Sequence, residues 1–122
     1  MDDELLQALK QLYPQYEEGA YLFVLSALNY VLRRLPEQRH ISGRELASGV
    51  RDLALERFGP MARTVLEHWG IRETSAVGDI VFALVECGVL IKQDEDTRAD
   101  FENVFDFDEA FEQHFPRGQS EQ

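Results

Sequence analysis

One cysteine, Cys87, is too few for an internal disulfide or a cysteine-rich metal cluster, and a reducing compartment is the expected setting. Long apolar runs are missing as well. The longest uncharged stretch, Gly19 to Leu32, has 14 residues and includes Ser26 and Asn29, whereas a membrane span takes about 20 apolar residues. That stretch reads as a core helix, and no membrane association is expected. Cations are scarce: 12 Lys plus Arg stand against 23 Asp plus Glu, a net charge of -11. Such a balance opposes broad affinity for DNA, RNA or anionic lipid, all of the same sign. No glycine-rich phosphate loop, nucleophile elbow or kinase signature is present. The acidic start, Met1-Asp2-Asp3-Glu4, lacks the basic and apolar regions of a secretory or transit peptide, so a cytoplasmic protein is expected.

What remains is a chain of 122 residues, 44% hydrophobic, enough to bury a core without disulfides or metals. No repeat or linker divides it. The expectation is one domain over residues 1–116 and a polar tail over 117–122. Leu5, Leu6, Leu9 and Leu12 form one stripe of a first helix, Asp2 to Tyr13, which Pro14 stops. The segment from Tyr16 to Leu35 is apolar on most faces and belongs at the centre of the core. Ser42-Gly43-Arg44-Glu45 has capping-box spacing and starts a helix that Gly59 ends. Pro60 suits the first turn of the next helix, which closes at Gly70. Thr74 is expected to cap another, closed by Gly88.

Beyond Gly88 the period changes. Val89 to Gln93 and Phe101 to Phe105 read as two strands joined by a polar turn over Asp94 to Thr97. Asp106 then offers a cap for a last short helix carrying Phe107, Ala110, Phe111 and Phe115. The fold class expected is therefore α+β, predominantly α: a helical domain with a C-terminal two-stranded hairpin, winged-helix-like, with Arg39 to Ser42 as its short extra strand. An all-α bundle of four to five helices is the alternative.

A winged-helix order raises DNA binding, but the helix that would enter the major groove, Thr74 to Gly88, contains no Lys, Arg, Asn or Gln. The run Asp94 to Asp100 opens like a calcium loop, yet Arg98, Ala99 and Phe105 stand where an oxygen ligand, Gly and Glu are required. His40, His68 and His114 are too far apart for a helical zinc pair. Cys87 lies at a helix C-terminus, where the dipole disfavours a thiolate, and reads as a small hydrophobe. No catalytic, metal-binding or cofactor-binding residue is expected.

Charge is distributed unevenly. Residues 94–122 hold ten acidic and two basic side chains, whereas Arg33 to Arg72 holds eight Arg and five acids. Arg44 and Arg51, seven apart and so on one helical face, are the expected docking residues for an acidic partner. The competing expectation is that the chain's own acidic end neutralises them.

His40 to Leu46, Phe58 to Ile71, Gly78 to Phe82 and Asp106 to Asp108 together resemble an uncharacterised family of small proteins described as restricted to Verrucomicrobia and Planctomycetes. The resemblance spans about Tyr21 to Phe111. It implies a bacterial, cytoplasmic protein and assigns no activity, cofactor or site residue. The functional expectation is a non-enzymatic protein-protein interaction module. A DNA-binding, transcription-related protein using the helix from Ser42 is the runner-up, and an enzyme with a site assembled from distant residues is third.

Overall fold

A computed structural model describes residues 1–91 and 97–113 of the chain. It contains the α-helices α1 (Asp3–Leu12), α2 (Glu18–Arg33), α3 (Gly43–Phe58), α4 (Ala62–His68) and α5 (Thr74–Glu86). A 3-10 turn, Gly59–Met61, leads into α4, and a second, Arg98–Phe101, precedes a π-helical turn at Asp108–Gln113. Local chemistry sets most of the boundaries. The Asp2 carboxylate accepts the Leu5 amide at 2.8 Å at the start of α1, whose first turn is acidic and last turn basic, as the helix dipole favours. At α3, the Ser42 hydroxyl accepts the Glu45 amide at 3.1 Å while the Ser42 amide donates to the Glu45 carboxylate at 2.8 Å. The capping box is therefore formed in full.

The core gathers around α2, which buries Ala20, Tyr21, Phe23, Val24 and Ala27. Against it pack Val50 and Leu53 of α3, Leu66 of α4, and Val77, Ile80 and Leu84 of α5. An aromatic cluster of Phe23, Phe58 and Trp69 closes the α2–α4 side, with ring centroids 5.5 to 6.0 Å apart.

The C-terminal segment corrects the sequence expectation. Among the described residues there is no strand, so the two-stranded hairpin and the winged-helix-like arrangement are not found, and the all-helical alternative holds. Val89 and Leu90 instead direct their amides to the Leu84 carbonyl, finishing α5. Phe101 to Phe105 runs out of a 3-10 turn into further turns, and Arg39 to Ser42 carries no strand. Lys92, Gln93 and the Asp94 to Asp96 part of the expected turn lie outside the described residues, as do His114, Phe115 and the 117–122 tail.

The physical reason lies in Phe101, whose ring wedges between two helices at positions without a Cβ. A Cβ on Gly43 of α3 would stand 2.8 Å from Phe101 Cζ, and one on Gly78 of α5 would stand 2.9 Å from its Cδ2. Both glycines are required by this close approach. The apolar spacing that resembles a strand thus serves as a set of pegs into a helical surface. Phe105, Phe107 and Phe111 form the next peg cluster, with centroids 5.0 to 5.7 Å apart. Asp106 caps their turn as expected, its Oδ1 accepting the amides of Asp108 and Glu109 at 2.8 and 3.2 Å.

Thr74 does not cap α5; Glu73 occupies that position. The Thr74 side chain is buried and spent on the C-terminal segment, donating to the Phe101 carbonyl at 2.6 Å and accepting the Val104 amide at 3.2 Å.

Candidate functional site

The arginines between Arg33 and Arg72 meet different fates, and these decide which surface is open to a partner. Arg63 on α4 is a hub. Its Nε donates to Glu67 at 2.9 Å, while Nη1 reaches Asp108 at 2.5 Å and Glu112 at 2.7 Å. Those bonds, Asp108 foremost, hold the Arg63 guanidinium more firmly protonated than usual. Arg98 ties the other end of the segment: Nη2 donates to Asp79 at 2.6 Å, and both terminal nitrogens reach the Tyr13 hydroxyl at 3.0 Å. Asp79 also accepts from Tyr16 at 2.7 Å, and burial followed by that carboxylate pushes the Tyr16 phenol well upward. The described acidic side chains of the C-terminal segment are thus satisfied partly within the chain, at Arg63.

Arg44 and Arg51 share α3 but not an environment. Arg51 is half-buried; its Nε donates to Asp52 at 2.9 Å and its guanidinium lies 5.5 Å from the Phe105 ring centroid. The Arg44 side chain is exposed and has no ion pair or hydrogen bond among the described residues. It lines a shallow cleft of about 360 Å³ along the α2–α3 seam, with Tyr30, Val31, Arg34 and Ser48. There Arg34 stacks on Tyr30, 3.6 Å from the ring centroid, and pairs with Glu56 at 3.8 Å. Arg39 holds Glu45 through two bonds of 3.0 and 2.8 Å. This fork, helped by the Ser42 amide, pulls the Glu45 carboxyl down to about 2.

A second concavity, about 500 Å³, opens between α2, α3 and α5. Its walls are apolar, and its polar lining comes from the loop over Gln38 to Ser42. Sequence periodicity marks apolar faces but not a gap between them, so this groove has no signature in the primary structure.

Elsewhere the chemistry is sparse. Cys87 is half-buried at the end of α5. Tyr21 is fully buried and its hydroxyl has no hydrogen-bond partner among the described residues; burial, with Cys87 and Tyr13 adding, pushes it up to about 12. No group of three or more His, Cys, Asp or Glu among the described residues is arranged to hold a metal ion. No described helix is long and apolar enough to cross a membrane.

Comparison with protein families, with curated proteins and with solved structures finds no match.

Proposed function

We propose that the chain is a non-enzymatic protein-interaction module whose docking face is the α2–α3 seam around Arg44. The observation that carries this reading is the contrast among the arginines. Arg63 and Arg98 are consumed by internal carboxylates, whereas Arg33, Arg44 and Arg57 stand exposed without one among the described residues, and of these three Arg44 lines the α2–α3 cleft. Beside it lie Tyr30 and Arg34, residue types enriched where interfaces concentrate their binding energy. The partner is a protein surface that offers a carboxylate to Arg44 and an apolar or aromatic side chain to the cleft beside Tyr30 and Val31.

Duplex DNA makes a poor occupant. The exposed charge of α5 is Glu86, and a duplex, unlike a single carboxylate placed at Arg44, would lay a row of phosphates along α3, where Glu45, Asp52 and Glu56 stand among three arginines. The test is native co-purification with the full chain as bait. A protein partner should be held near 50 mM salt and shed as salt approaches about 1 M, where the Debye length shrinks to roughly 3 Å. Recovery of nucleic acid in place of protein, or of no salt-sensitive partner, contradicts the reading.

A further inference from the structure

The 500 Å³ groove between α2, α3 and α5 has the size and lining of a small-molecule site, since such pockets run from about 300 to 1,000 Å³ and are mostly apolar with a few convergent polar groups. Leu28 and Leu32 come from α2, Leu46 from α3, Val81 and Val85 from α5, and Phe101 closes one side. Ile91, 85% exposed, stands at the lip. All the polar side chains in the lining belong to the loop of Gln38, Arg39, His40 and Ser42, so polarity is confined to one side. In a chain with 23 acidic residues and a net charge of -11, none of the described residues that line this groove carries a carboxylate. The loop instead offers donors. A guanidinium carries five N–H groups; in Arg39 three are given to Glu45 and to the His40 carbonyl, and the other two have no acceptor among the described residues.

We infer that the groove binds a free alkyl carboxylate of medium chain length, with its tail among the leucines and valines and its head group toward Arg39 and Gln38. Apolar burial supplies most of the affinity and the donor side supplies the orientation. The head-group preference is the discriminating feature, because the charge of the whole chain favours the opposite choice. A protein of net charge -11 attracts alkylammonium and repels alkyl carboxylate at long range. Only a local site reverses that order.

The experiment is isothermal titration of the full chain with decanoate, decylammonium and decanol, each below its aggregation threshold. Decanoate should bind at least about tenfold more tightly than decylammonium, a difference of one decade or more in Kd. Absence of decanoate binding, or equal or tighter binding of decylammonium, overturns the inference. Two variants locate the site. Val85→Trp, which fills the groove, should abolish decanoate binding. The double variant Arg39→Gln plus Glu45→Gln removes one charge of each sign, so the net charge is unchanged. It should erase the preference for decanoate over decylammonium while decanol still binds. A preference that survives the double variant places the head group elsewhere and overturns the assignment, whatever the fate of Val85→Trp.

Discussion

The hydroxyl of Thr74, on the first turn of α5, donates to the carbonyl of Phe101 across 27 positions of sequence, at 2.6 Å and out of contact with water. The same oxygen accepts the Val104 amide. One side chain thus fixes the C-terminal segment at two backbone points. Thr74→Val keeps the shape and leaves a buried carbonyl and an amide unpaired, so it should cost about 1–3 kcal/mol in denaturant unfolding, while Thr74→Ser should cost less.

Phe101 sits between Gly43 and Gly78, so a methyl at either glycine has no room. In an open helix Gly→Ala stabilises by roughly 0.5–1 kcal/mol. Gly78→Ala should do the reverse here, costing about 1–3 kcal/mol by overpacking against Phe101. In a Phe101→Ala background, where the ring is gone, the Gly78→Ala penalty should vanish or change sign. A double-mutant cycle on melting measures that coupling directly.

These two contacts also show what the sequence could and could not reveal. The Ser42 capping box, the stop at Pro14 and the Asp106 cap were readable because each is complete within a few residues. The path of the C-terminal segment was not readable, because an apolar residue at every other or every fourth position serves a strand and a row of pegs alike. One local signal did exist: Thr97 and Asp100 have capping-box spacing, and the Asp100 carboxylate accepts the Thr97 amide at 3.3 Å at the start of the 3-10 turn. Thr74 resembles a cap in the sequence because a hydroxyl at a helix start usually serves as one, and only the fold shows this one turned to Phe101. The docking candidates divided for the same reason. Arg44 and Arg51 share a helix, but Phe105, 54 positions further on, takes up Arg51.

Two tyrosines should respond in opposite ways to loss of their hydroxyls. Tyr21→Phe removes a buried group that has no partner among the described residues, and should leave stability unchanged or raise it. Tyr16→Phe removes the 2.7 Å bond to Asp79 and should cost about 0.5–3 kcal/mol. Chemical denaturation of both variants at neutral pH provides the comparison.

Acid should reveal the Arg39–Glu45 fork. The Glu45 carboxyl is held at about 2 against an ordinary 4.5, so its ionised form stabilises the fold. That contribution is complete above pH 4.5 and is lost as pH falls from there toward about 2. Wild type should therefore melt above Glu45→Gln at pH 7, and the gap should narrow through that window. The titration midpoint of Glu45, followed by its carboxyl chemical shift against pH, should rise toward the ordinary range in Arg39→Gln.

The docking face is tested most directly by reversing Arg44 and Arg51 one at a time, with melting and recovery of the protein complex measured on the same preparations. Arg51 supports the fold through Asp52 and Phe105, so Arg51→Glu should lower the melting temperature. Arg44→Glu should melt with wild type and lose the complex, because that side chain has no structural partner among the described residues. An Arg44→Glu protein that melts several degrees lower, or that keeps its partner at wild-type yield, would contradict the claim that this arginine is reserved for another protein.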